Sequence, residues 1–254
     1  MTVPSFCEEN EPMNQQTVTA ANLDSLKILY EDSHILVCFK PGGTAVQSRK
    51  LGSPDMISIL KNYIHQKTPS KGEPFLGVIH RLDQPVSGIL VFARTPAAAK
   101  ELNRQLTNHE FGKYYRALAA GHPPKKKDTL ENYMTKDART NLSRICSPDA
   151  GKAKLARLHY EVITAGQRYF SPDASTAAQN PGAAELDIRL DTGRHHQIRV
   201  QLAHIGCPIV GDTKYNPACK EGRTWQEICL CAYRLDFRHP KTQKPLHFCL
   251  LQDS

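Results

Sequence analysis

Two groups of residues in this chain have the types and spacing that chemistry requires. The first is a single carboxylate, Asp83, two residues after Arg81 in His80-Arg81-Leu82-Asp83, lying between the apolar runs Leu76–Ile79 and Gly88–Ala93. An apolar run that stops at charged residues and then resumes places those charges at the rim of a sheet, where binding and catalytic groups usually sit. The second group is DTGRHHQIR, Asp191 to Arg199, with the tandem pair His195 and His196. Each has a plain alternative on spacing alone. Arg81 and Asp83 suit an ordinary surface ion pair, which contributes little. The tandem histidines with Asp191 invite a metal reading, but neighbours at a helix start diverge by about 100°. No third ligand follows at a suitable spacing, so no metal is expected.

The elements that must position these groups can be read in order. KILYED and HILVCFKP form two strands joined at Asp32-Ser33. DMISILKNYIHQ places Met56, Ile57, Leu60 and Ile64 at helical spacing. Strands LGVIH and GILVFAR flank the Asp83 turn, and Thr95-Pro96 supplies a cap and a first helical residue for AAAKELNRQLTNHE. GKYYRALAAG follows as a strand, then TLENYMTK, LSRICS, AKLARLHYEVIT and AAELDIRLD. HHQIRVQLAHIG reads as a helix with Ile198, Leu202 and Ile205 on one face and Gly206 at its end. LCAYRLDF and LHFCLL close the chain as strands. About nine or ten strands, mostly consecutive, with three helices give an α+β fold with a largely antiparallel sheet.

Composition sets the wider limits. A chain of 254 residues with no Gly/Ser-rich or Pro-rich linker reads as a polar leader over residues 1–25 and one domain over 26–254. The leader lacks the apolar core of a signal peptide, and no apolar run approaches membrane-spanning length, so a cytoplasmic protein is expected. Eight cysteines form no CxxC pair and are read as small buried residues rather than zinc ligands or disulfides. Between Gly166 and Ala184 a Ser/Ala/Asn/Pro-rich stretch reads as an exposed loop. A net charge of +8, with Lys125, Lys126 and Lys127 in one loop and Arg194 and Arg199 in the DTGRHHQIR block, suits a phosphate backbone.

HRLD followed by Ser87-Gly88 and an apolar strand resembles the catalytic motif of the RluA family of pseudouridine synthases. Four more blocks match in order: ILYEDSHILVCFKPGG, GKYYRALAAG, DTGRHHQIRVQLAHIGCPIVGDTKY and CAYRLDFRHPKTQKPLHF, so the likeness covers about residues 27 to 249. Any one block would be weak, and the ordered set is not. The resemblance implies a curved, mainly antiparallel mixed sheet with flanking helices, and conversion of uridine to pseudouridine in ribosomal or transfer RNA. It implies that Asp83 is catalytic, that Arg199 pairs with it, that Tyr115 is the active-site tyrosine, and that Arg81 helps fill the space left by an extruded nucleotide.

That reaction breaks the bond from the ribose anomeric carbon to a ring nitrogen and remakes it to a ring carbon of the same base. Nothing is oxidised, so no cofactor is expected. A carboxylate must attack or stabilise the sugar, or add to the base, and a paired arginine favours its charged form. Tyr115 could stack on the base or take the proton from its carbon, while Tyr114 points to the opposite sheet face. His80, Lys113, Arg194, His196 and Gln197 complete the expected substrate contacts. Thr192, Gly193 and Gln197 also form a scaffold for Arg199. The partner is a structured RNA loop, where extrusion is cheapest, and the enzyme is read as a monomer without the extra RNA-binding module of longer members. A metal-dependent nuclease lacks the carboxylate cluster that two-metal chemistry needs.

Overall fold

The structure is a computed structural model that describes residues 26–48, 54–68, 72–163, 169–170, 182–219 and 227–251. The leader and most of the 166–184 loop therefore lie outside the described residues. Eleven strands form one open sheet: β1 (Ile28–Glu31), β2 (Ile35–Lys40), β3 (Gly77–Val78), β4 (Ser87–Ala93), β5 (Gly112–Ala119), β6 (Lys127–Asp137), β7 (Leu142–Cys146), β8 (Lys154–Val162), β9 (Ala184–Leu190), β10 (Leu230–Arg238) and β11 (Pro245–Cys249). The helices are α1 (Met56–Lys67), α2 (Pro96–Thr107) and α3 (Gln197–His204).

Strand order is β1-β2-β4-β10-β5-β9-β8-β6-β7, with β3 beside β4 and β11 beside β10. Every pairing is antiparallel except β4 with β10, where Ser87 faces Cys231 and Gly88 faces Ala232. That crossing explains the glycine after Ser87. Gly88 has φ +135°, and a Cβ there would meet the Ala232 carbonyl oxygen at 2.5 Å. The expected mixed, mainly antiparallel sheet is present, with one strand more than the upper count read from the sequence.

Strand alternation divides the core between two sheet faces. Leu36, Cys38, Leu90, Phe92, Tyr115 and Ala117 face one side with Met56, Leu60 and Ile64 of α1 and Ile198 and Leu202 of α3. Ile35, Val37, Ile89, Val91 and Ala93 face the other with Ala98 and Leu102 of α2. Both faces of β2 and β4 are covered, which is why these two strands read as continuous apolar runs.

Helix starts follow side-chain chemistry in two cases and depart from it in the third. Asp55 and Ser58 close a capping box at α1. Thr95 Oγ1 accepts the Ala98 N–H at 3.1 Å, with Pro96 at the first helical position, as the sequence predicts. The third helix was expected from His195 but begins at Gln197, because His196 is left-handed, with φ 55° and ψ 27°, and makes no side-chain cap bond. For a non-glycine residue that conformation costs about 1–2 kcal/mol. Tertiary contacts must hold it there.

Candidate active site

Asp83 lies in the loop between β3 and β4, and that loop is tied to the end of β2 rather than left on the surface. Lys40, the last residue of β2, is wholly buried and donates from Nζ to the carbonyls of Pro41 at 2.9 Å, Thr44 at 2.7 Å and Gln84 at 3.0 Å. Gly43 and Gln84 add a backbone bond of 2.9 Å, and Gln84 Nε2 reaches the Gly43 carbonyl at 2.9 Å. A turn closed by the Val86 N–H on the Asp83 carbonyl, 3.0 Å, sets the carboxylate at the loop crest. Burial lowers the Lys40 pKa to about 7 against the pull of Asp83.

The carboxylate meets Arg199 as expected. Arg199 Nη1 donates to Asp83 Oδ2 at 3.1 Å. The other edge of the guanidinium forms a two-pronged bond with Asp212, Nε to Oδ2 at 2.8 Å and Nη2 to Oδ1 at 2.7 Å. Arg199 and Asp212 have side chains only 3% and 0% exposed, whereas Asp83 is 27% exposed. One buried cation thus bridges a buried structural carboxylate and an accessible one, a geometry only a planar fork can supply. Burial opposes the Arg199 charge, but Asp212 and then Asp83 raise its pKa overall.

Asp212 was not among the residues singled out in the sequence, and neither was Tyr215. Asp212 Oδ1 also accepts the N–H groups of Lys214 at 2.9 Å and Tyr215 at 3.3 Å, so one carboxylate shapes this turn and grips Arg199. The Tyr215 ring stacks under the guanidinium, 5.3 Å from ring centre to Cζ. A Gly-Asp pair before a Thr-Lys-Tyr turn reads as simple punctuation. The signal lay in the fixed Gly: Gly211 has φ +79°, and a Cβ there would collide with the Glu227 carbonyl.

Tyr115 sits on β5 within the buried face that leads to Asp83 and is 8% exposed. Burial, then the Asp83 charge, pushes its phenol well above the usual tyrosine range. Its hydroxyl is therefore held neutral, which favours stacking over proton acceptance. Tyr114 faces the other side, with the Arg234 guanidinium 4.6 Å from its ring centre.

The remaining expected contacts divide into two sets. Arg81 is exposed and makes no ion pair with Asp83. Lys113 and Arg194 stand together at the rim, and burial followed by Arg194 lowers the Lys113 pKa. Arg194 Nε donates to the Leu155 carbonyl at 2.7 Å while the residue stays exposed. His80, Gln197 and His196 are used inside the protein. The His80 Nε2 accepts the Val91 N–H at 3.3 Å and its ring lies edge-on to Phe111. Gln197, 3% exposed, accepts from Thr192 Oγ1 and the Arg194 N–H and donates to the Arg157 carbonyl, which is the scaffold role. Asp191 turns away from the histidine pair to Arg157, His159 and Arg189.

His196 is also buried, and its Nε2 lies 3.6 Å from Asp83 Oδ2. The two histidine rings do not diverge. The left-handed turn at His196 stacks them at 3.7 Å, and His195 Nδ1 bonds Ser143 Oγ of β7 at 2.8 Å. Burial, then Arg199, His195, Lys214 and Lys136, lowers the His196 pKa to about 2, so its ring is neutral.

A carboxylate held by a buried arginine at the rim of this mixed sheet defines a class, and comparison with known proteins agrees. The sequence profile of RNA pseudouridylate synthase matches residues 34–204. The chain belongs to this family, the enzymes that isomerise uridine in RNA. Within it the chain falls in the RluA group. It is 34% identical over 249 residues to ribosomal large subunit pseudouridine synthase D of Xanthomonas campestris pv. campestris, covering 92% of this chain and 68% of that protein. It is 29% identical over 226 residues to tRNA pseudouridine synthase C of Vibrio cholerae, covering 87% and 88%. Human RNA pseudouridylate synthase domain containing 1 shares the fold, with a TM-score of 0.70 at 20% identity over 92% of this chain and 86% of that one.

Proposed function

We propose that the enzyme converts uridine to pseudouridine in ribosomal or transfer RNA with Asp83 as the nucleophile. The observation that carries this reading is the state of the carboxylate: Oδ2 is anchored by Arg199, while Oδ1 has no hydrogen-bond partner among the described residues. A half-open carboxylate with one oxygen fixed and one available is arranged for attack rather than for a structural bond.

In this reading a lone pair of Oδ1 forms a bond to the ribose anomeric carbon as the bond to the base nitrogen breaks, and the uracil leaves with that electron pair. The base turns, and its C5 attacks the anomeric carbon. The bond to Asp83 breaks and returns its pair to the carboxylate. Loss of the C5 proton to solvent and gain of one at the freed nitrogen complete the isomerisation. Tyr115, held neutral, stacks on the base, and Arg81 fills the gap left by the extruded nucleotide.

The rim supports an RNA partner. Burial and then Arg194 lower the Lys113 pKa, and burial and then the Arg199 and Lys136 charges lower that of Lys214, so cations crowd one another at the mouth of the site. A phosphate backbone relieves that crowding. Relatives named for the ribosomal large subunit and for tRNA support these two classes of substrate. The reading includes a monomeric, cytoplasmic enzyme; no helix among the described residues is long and apolar enough to cross a membrane.

The test uses transcripts of large-subunit ribosomal RNA and of transfer RNA carrying tritium at uridine C5. Release of tritium with a mapped pseudouridine in one of them is expected. Folded, RNA-binding protein that releases none from either would overturn the reading.

A further inference from the structure

Resting on the reading of Asp83 as the nucleophile, we propose that His196 and Tyr215 are positioning residues that orient its carboxylate. The Tyr215 hydroxyl fixes His196 as the Nε2–H tautomer, and that N–H, beside Arg199 Nη1, holds Oδ2 so that Oδ1 faces the substrate. Tyr215 lies outside the stretch matched by the family profile, residues 34–204.

The proton on each group follows from the far end of the chain of contacts. The Ser143 N–H donates to Tyr215 Oη at 2.8 Å, which occupies one lone pair of the hydroxyl. His196 Nδ1 lies 2.7 Å from the same oxygen. Among the described residues the hydroxyl hydrogen has no other acceptor, so it donates to Nδ1. A neutral imidazole that accepts at Nδ1 carries its proton on Nε2. Nε2 is the ring nitrogen 3.6 Å from Asp83 Oδ2, the oxygen already bound by Arg199 at 3.1 Å.

Two features separate this arrangement from casual packing. His196 is held in the left-handed region, strain that turns its ring edge toward Asp83 instead of letting the helix begin one residue sooner. The turn bearing Tyr215 is formed by Asp212, which also clamps Arg199, so both groups on Oδ2 are set by one buried carboxylate. Besides Tyr215, the charged and titratable groups facing His196 are Arg199, His195, Lys214, Lys136 and Asp83, and the four of these that are basic all favour its neutral form. The gap of 3.6 Å is longer than a hydrogen bond, so Nε2–H acts on Oδ2 as a neighbouring dipole in this state.

The test compares Tyr215→Phe, His196→Asn, His196→Gln and Asp83→Asn with the wild-type chain in single turnover at saturating tritiated RNA. RNA affinity and thermal unfolding are measured on each. Tyr215→Phe and His196→Asn are expected to slow turnover about 10–100-fold, the effect of losing one polar contact to a charged group, with affinity within about 2-fold. Asparagine tolerates the left-handed conformation but ends short of Asp83. Glutamine places an N–H near the Nε2 position and is expected to recover at least part of the rate. Nitrogen-15 NMR should find His196 as the Nε2–H tautomer in the wild-type chain and a mixture in Tyr215→Phe. Wild-type rates in Tyr215→Phe and both His196 variants, with Asp83→Asn inactive, would overturn the positioning role alone. An Nδ1–H tautomer in the wild-type chain would overturn it even if a variant failed to fold. Activity in Asp83→Asn would instead overturn the nucleophile reading beneath it.

Discussion

Asp212→Asn separates orientation from charge at this site, because the two effects have opposite signs. Asp212 shares Arg199 with Asp83, so neutralising it strengthens the pull of Arg199 on the catalytic carboxylate. The same change breaks the clamp. Asparagine keeps one acceptor oxygen but turns an N–H toward the guanidinium, so one of the bonds of 2.8 and 2.7 Å is lost and the other becomes an ordinary one. Breaking a fully buried ion pair costs about 3–5 kcal/mol. For a domain of this size that is a fall in Tm of roughly 6–20 °C. If orientation governs catalysis, turnover measured well below Tm falls at least about 10-fold. If charge alone governs, turnover is unchanged or faster. The assay is single-turnover tritium release at saturating RNA, with thermal unfolding in parallel. A variant that melts within about 2 °C of the wild type and turns over as fast would refute the clamp.

Three other outcomes are expected. Gly88→Ala should destabilise the fold by at least about 2 kcal/mol, since a Cβ meets Ala232 across the parallel β4–β10 pair and φ is +135°; urea unfolding with an unchanged midpoint would contradict it. Lys40 has a pKa of about 7 in the folded chain against ~10.4 unfolded, so between these values the unfolded state binds the extra proton and stability rises with pH. Relative to Lys40→Met, the wild-type chain should gain up to about 1.4 kcal/mol per pH unit from pH 7 to 9, and parallel slopes in urea unfolding would contradict the shift. Because the Tyr115 phenol is held neutral, Tyr115→Phe should turn over at least about 10-fold faster than Tyr115→Ala, and equal rates would argue against stacking.

The legible parts of this molecule are those fixed by local chemistry or by motif. The continuous apolar runs of ILVCFK and SGILVFA, the Thr95-Pro96 start of α2 and the Asp83–Arg199 pair all appear where the sequence predicts them. The rest depends on contacts between distant segments. Lys40 reads as part of a Lys-Pro motif, yet its acceptors include the carbonyl of Gln84, 44 residues away. Asp212 and Tyr215 look like a turn until the fold returns that turn to Arg199. His196 reads as an outward contact at a helix start, and its positive φ turns it inward.

The central claim is that Asp83 carries the chemistry, and tritium release by Asp83→Asn tests it most directly. Asparagine keeps the shape and the Arg199 contact but cannot form and release the sugar bond. No release above background from C5-tritiated RNA is expected, with RNA affinity and thermal unfolding near those of the wild-type chain. Release at a wild-type rate by the folded variant would contradict it.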